Sequence, residues 1–141
     1  MSLKKGHEVK QLFEFKVPCP KYQQTVISLN NVSKWHRFHQ SKIKNTYKDN
    51  LKDWYIPTPE KEYKSMYIEF HLMRHNKRVL DSDNLGFIIK WTLDAIKETR
   101  NEEKDINWLE DDDQITYLVK PAILDKELLE TEIIVKVFEE E

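Results

Sequence analysis

One cysteine, no long apolar run and a wide stretch without acids are what this chain withholds. The lone Cys19 excludes an internal disulfide framework and cannot form a zinc cluster by itself, so its expected role is structural. No segment approaches the roughly 20 apolar residues of a spanning helix, and the N-terminus has no signal-peptide core. Those absences predict a cytoplasmic protein with no membrane partner. Internal repeats and low-complexity tracts are also missing. At 141 residues the chain is sized for a single domain, 1–141, around one core. Charged residues make up 34% and hydrophobic residues 39%, a surface-rich balance, while 11% aromatics argue against disorder.

The net charge of −2 conceals an asymmetry. From Phe15 to Lys48 there is no acid, and Lys16, Lys21, Lys34, Arg37, Lys42, Lys44 and Lys48 give +7. From Asp81 onward 18 acids face seven bases. A basic front half could hold a polyanion while the acidic half holds metal; two solvated faces that partly neutralise each other are the bland alternative.

Alternation of apolar and polar residues predicts a strand over Gln11–Val17, with Phe13, Phe15 and Val17 on one side, and another over Met66–Met73, with Met66, Ile68, Phe70 and Leu72 facing the core. Two further strands are expected at Ile115–Val119 and Glu132–Phe138. Between the first two, Val32, Trp35, His39, Ile43 and Tyr47 share one face of a helix over Val32–Leu51, capped by Ser33 or Asn30. On that wheel Lys34, Arg37, Lys44 and Lys48 form a basic stripe suited to phosphates. The prolines of Trp54–Lys64 predict a loop. A second helix, carrying Leu85, Ile88, Ile89, Thr92, Leu93 and Ile96 at helical spacing, is expected to begin near Asp83. Glu98–Asn107 is polar enough to be mobile, and the acidic tail 139–141 is expected to fray. The expected fold is therefore α+β, a mixed or antiparallel sheet of about four strands with two main helices.

Chemistry points to two acidic clusters, Asp81-Ser82-Asp83-Asn84 and Glu110-Asp111-Asp112-Asp113. If a fold brings them together, their repulsion needs a cation, and magnesium suits hard oxygen ligands. Asp83, Lys90 and Asp94 fall within about 20° on the helical wheel, so a lysine would stand beside the acids. Helix capping by Asp81 and Asp83, and a solvated turn at Asp111–Asp113, are the competing structural roles. The first cluster also imitates the start of an EF-hand loop, but Leu85 occupies a ligand position and Thr92 stands where the bidentate glutamate belongs. His36 and His39 have helical metal spacing but fall on the expected buried side, where core packing is favoured over zinc.

Three ordered motifs in this segment resemble the RusA family of Holliday junction resolvases. Asp81-Ser82-Asp83-Asn84-Leu85 is similar to its D-x-D-N-L, Lys90 followed by Asp94-Ala95-Ile96 to its K-x-x-x-D-A-L, and Asp111-Asp112-Asp113-Gln114-Ile115 to its D-D-x-Q-V. The resemblance is strongest over residues 74–120. It implies that Asp81, Asp83 and Asp112 bind magnesium, with manganese as a possible substitute, that Asp111 is an adjunct, and that Lys90 assists near the scissile phosphate. A homodimer cutting four-way DNA junctions symmetrically, in recombination and repair, and a bacterial or phage source are implied as well. Arg74, Lys77, Arg78 and the stripe of Lys34, Arg37, Lys44 and Lys48 would hold the DNA backbone. The chain departs from the family in three ways: Lys90 follows Asp83 by seven residues where the family usually has four, the polar stretch before Trp108 is longer, and the overall balance is acidic. A branched-DNA-binding protein without cleavage, or a nuclease for other branched DNA, is the alternative.

Overall fold

The computed structural model describes residues 10–18, 21–22, 25–26, 32, 34–76, 85–111 and 114–140. Alternation builds the centre of the sheet. β1 (Gln11–Pro18) runs antiparallel to β9 (Glu132–Glu139), which runs antiparallel to β4 (Met66–Arg74). On the other side of β4 lie β7 (Ile115–Val119) and, collinear with it, β8 (Ile123–Leu124), both parallel to β4. The result is a mixed five-stranded sheet, an α+β arrangement as expected. Two short hairpins stand apart from it, β2 (Lys21–Tyr22) with β3 (Thr25–Val26), and β5 (Arg100–Asn101) with β6 (Ile106–Asn107).

Met66, Ile68, Phe70 and Leu72 are fully buried, as the period-two pattern requires, and Ile133, Val135 and Val137 of β9 continue the same core. On the opposite face of β4, Glu69 and His71 are half-buried and Tyr67 is buried. Two helices complete the core. α1 (Arg37–Trp54) contributes Ile43 and Leu51, and α2 (Gly86–Glu98) contributes Ile88, Ile89, Trp91, Ala95 and Ile96. Tyr47 Oη and Thr92 Oγ1 bridge the two helices at 3.1 Å.

Both helices depart at their starts from what their apolar spacing suggests. Val32 is buried and itself helical, and Trp35 packs on the core, but a turn closed through Trp35 N–H to Val32 O interrupts the helix at 34–36, and α1 proper begins at Arg37. His36 caps it, its Nδ1 accepting from Phe38 N–H, whereas the caps expected at Ser33 and Asn30 lie outside the described residues. Lys34 therefore stands before the helix rather than on its stripe. α2 begins at Gly86 with Leu85 as N-cap, so the face expected for Asp83, Lys90 and Asp94 holds for Lys90 and Asp94 alone; Asp83 lies outside the described residues.

The polar stretch expected to be mobile is a fastened hairpin. Asn101 Nδ2 donates to Pro59 O at 2.8 Å, Lys104 Nζ reaches Glu60 Oε2 at 2.6 Å, and Asn107 N–H donates to Glu62 Oε2 at 3.1 Å. Trp108 Nε1 then donates to Pro57 O at 2.9 Å, anchoring the proline loop on the same side. Asp105 takes the left-handed conformation, φ 59°, that the tight turn needs, and pairs with Arg100. At the C-terminus β9 continues through Glu139, and Glu140 exchanges hydrogen bonds with Ser65, so of the tail expected to fray only residue 141 lies outside the described residues. Among the described residues no helix is long and apolar enough to cross a membrane.

Candidate nucleic-acid interface

Arg37, Gln40, Ser41 and Lys44 recur at i, i+3, i+4 and i+7, the spacing that places four side chains on one face of a helix. In the structure that face meets Phe87, Lys90 and Trp91 of α2 across an open groove of about 190 Å³. Arg37 and Lys90 are exposed and Lys44 is half-buried. Among the described residues none of the three has an ion-pair partner, and the groove is lined by no acid. Trp91 is buried beneath it, with Phe87 at 5.6 Å and Tyr47 at 6.0 Å between ring centroids, so the floor is rigid and aromatic.

Helix direction adds to this charge. Residues 37–44 of α1 lie beside residues 87–91 of α2, and Lys48 and Lys52 lie beside Glu98, so the helices run parallel with both N-termini at the groove end. Neither first turn contains an acid. The partial positive charges of the two helix N-termini are thus left unopposed within those turns and favour anions.

Of the expected DNA-binding stripe, the fold brings Arg37 and Lys44 together with Lys90 and takes Lys48 away. Lys48 Nζ donates to Glu98 Oε2 at 2.5 Å and its side chain is 12% exposed, which removes it from a phosphate surface. Lys34 is exposed outside the groove lining, and Arg74, half-buried, ends β4 with its carbonyl accepting from Asp125 N–H. Lys77 and Arg78 lie outside the described residues, as do Asp81, Asp83 and Asp112. Asp111 is described and exposed. It sits in the turn before β7, its carbonyl accepting from Gln114 N–H, while Gln114 O accepts from Met66 N–H at the start of β4. The Lys90 groove does not include it. Among the described residues no group of three or more His, Cys, Asp or Glu is placed to hold a metal ion.

Gln40, Ser41 and Phe87 were not legible as site residues from composition, although the i, i+3, i+4, i+7 series through Arg37 carries the signal. A second polar cluster, on the opposite face of β4, follows the period of two at 67, 69 and 71. Glu69 accepts from Tyr67 Oη at 3.2 Å, meets His71 Nε2 at 3.0 Å and lies 3.7 Å from Lys120 Nζ. Burial alone would raise the Glu69 carboxyl, but the hydrogen bond with His71, the charge of Lys120 and the bond from Tyr67 outweigh it and hold it below the usual range. The same burial, with Glu69 alongside, pushes the Tyr67 phenol up to about 12. The histidines differ from the core roles expected for them. His36 is an exposed cap stacked on Phe38, and only His39, edge-on to Trp35 at 5.4 Å, is half-buried.

Compared with models of protein families and with curated proteins, the chain matches none.

Proposed function

We propose that this protein is a magnesium-dependent endodeoxyribonuclease of the RusA type, acting on four-way DNA junctions in recombination and repair. The observation that supports this most directly is the groove in which Arg37 and Lys44 of one helix and Lys90 of the other converge, with no acid among its described lining residues. Three cations at parallel helix N-termini suit a bent phosphate backbone and read no sequence, which fits recognition of branch shape rather than bases. Asp81 and Asp83 would hold the metal, with Asp112 and the adjunct Asp111, and Lys90 would offset charge building on the scissile phosphate. Magnesium, or manganese in its place, supplies Lewis acidity at the phosphate and a lowered pKa for attacking water. Carboxylate oxygens are the right donor type for it.

A non-catalytic branched-DNA-binding role is the second reading. It is favoured by the position of Asp111, outside the Lys90 groove and beside the start of β4. Cleavage of an immobile four-way junction, compared with linear duplex and flap substrates, separates the two. Paired nicking that needs both magnesium and Asp83, and is lost in Asp83→Asn with junction binding retained, is the expected result. Tight junction binding with no cutting by the wild type would leave the binding role, and a preference for flaps would transfer the activity to other branched DNA.

A further inference from the structure

Two aromatic rings of α1 stand in solvent, Phe38 at 80% exposure and Trp54 at 79%, one at each end of the helix. A ring exposed by itself is ordinary on a protein surface. Phe38 is placed differently. Its ring lies 5.4 Å from that of His36 with 26° between their planes, a stacked pair. The His36 ring is itself held in place, because its Nδ1 caps the helix by accepting from Phe38 N–H. One face of Phe38 is thus backed by a second ring and the other is left to solvent.

Helix geometry sets this pair at the lip of the cationic groove. Arg37, next to Phe38 in the chain, and Ser41, three residues on and so its neighbour on the helix surface, both line that groove. Lys42, four residues on from Phe38, is exposed and adds a cation outside the lining. A positively charged groove that tracks a backbone, joined to an aromatic ring on which a base can lie, is the combination that binds single-stranded nucleic acid without reading its sequence. We propose that Phe38, backed by His36, is a stacking platform for an unpaired nucleobase whose own phosphates are held by Arg37, Lys44 and Lys90, an assignment that rests on the nucleic-acid reading of the groove and not on cleavage.

Such a platform separates open from closed DNA. In an intact duplex each base is covered on both faces by its neighbours, and a ring at the surface meets only backbone. Where a strand is unpaired, at a gap or at an opened branch point, a base can turn out and cover the free face of Phe38. Every base has a π-face, so the contact tolerates any of them, unlike hydrogen bonds to base edges. A preference for unpaired over fully paired DNA is thereby added to a groove that by itself holds the phosphates of either. Trp54 shows what position contributes. It follows Asp53 at the C-terminal end of α1, where the helix dipole is negative, and the lysine of that turn, Lys52, is taken by Glu98 and Asp49. Its ring is as open as that of Phe38 but stands among acids, which repel a phosphate, and it serves as the control.

Equilibrium binding to a gapped duplex, compared with the same duplex whose gap carries abasic nucleotides, tests the platform, with chelator present so that no strand is cut. The two probes share their phosphates and differ only in the bases. The unaltered protein should bind the base-bearing gap roughly 5-fold more tightly or better, the lower end of what one base on one ring contributes. Phe38→Ala should erase that difference, Phe38→Trp should keep it, and Phe38→Leu, apolar but without a π-face, should lose it. His36→Asn keeps a capping side chain but removes the backing ring, and should shrink it. Arg37→Gln should weaken both probes alike, and Trp54→Ala should change neither. Unaltered melting curves for the Phe38 variants, expected for so exposed a side chain, exclude misfolding as the cause. Equal affinity of the unaltered protein for the two probes, or a difference that survives in Phe38→Ala or Phe38→Leu, overturns the platform and leaves the groove standing. A protein that binds neither probe overturns the groove reading and the platform with it. Absence of cleavage would bear on the nuclease reading alone, since these ratios are read without it.

Discussion

Lys48 Nζ lies 2.5 Å from one oxygen of Glu98 and Lys52 Nζ lies 2.9 Å from the other, so a single carboxylate ties the C-terminal half of α1 to the last turn of α2. Burial would raise the Glu98 carboxyl, but the hydrogen bonds from Lys48 and Lys52 outweigh it and hold it below the usual range. The hydrogen bond to Glu98 raises Lys52 in return, against its own partial burial. A depressed carboxylate contributes stability that is present above its unfolded pKa of about 4.3 and is lost as pH falls through the folded value. Glu98→Gln should therefore lower stability at neutral pH by about 0.5–1 kcal/mol, after discounting for solvent screening, and flatten the acid limb of the stability profile. Urea titrations across the acid range check this.

Freed of Glu98, Lys48 and Lys52 should become available to DNA. Glu98→Gln is expected to tighten junction binding and steepen its salt dependence. Arg37→Gln and Lys44→Gln should do the reverse, each reducing the log–log salt slope by roughly 0.9 for every phosphate it no longer neutralises. Lys48→Gln should leave that slope nearly unchanged. Equal slopes for all four variants in a binding titration against salt would contradict the groove as the DNA-binding surface.

Tyr67 should ionise late, near pH 12. Its raised value contributes stability that is complete below the unfolded pKa of about 10 and lost as pH climbs toward the folded one. Glu69→Gln removes the neighbouring charge and should bring that titration down, though not to the ordinary value, because burial is the larger cause. Ultraviolet difference titration of the phenolate, with Tyr67→Phe as the assignment control, gives the answer.

The hairpin of Arg100–Asn107 should behave as part of the body. Slow amide exchange is expected at Asn107, whose N–H is held by Glu62, and Asn101→Ala should cost about 1 kcal/mol through loss of the bond to Pro59 O. Exchange at solvent rates throughout the segment would restore the picture of a mobile stretch.

Periodicity made the sheet legible and position did not. Phe15 and Val17, then Met66 to Leu72, alternate cleanly, because each strand has one face on the core, and these strands formed where expected. The first helix was read as continuous because Val32, itself helical, and Trp35 bury apolar surface before a break at 34–36, so the apolar spacing runs across an interruption it does not show. The hairpin was missed because two-residue strands carry no period, and its order comes from polar bonds to a distant loop. Of the site, the sequence placed Arg37 and Lys44 on one helical stripe and Lys90 apart from them on another helix. Their convergence depends on two helices running parallel, a tertiary fact with no local signature, and so does the loss of Lys48 to Glu98.

The charges and proline of β1 bear on how far an assembly could grow. A chain with two open edges can add copies without end and form a fibre, whereas among the described residues the β1 margin carries charges and a proline that refuse a neighbour. Lys16, tied to Glu132 at 3.5 Å, and Pro18, which has no N–H to give, act as a stop written into that margin. Edge-to-edge growth into a fibre is thereby opposed on the β1 side of the sheet.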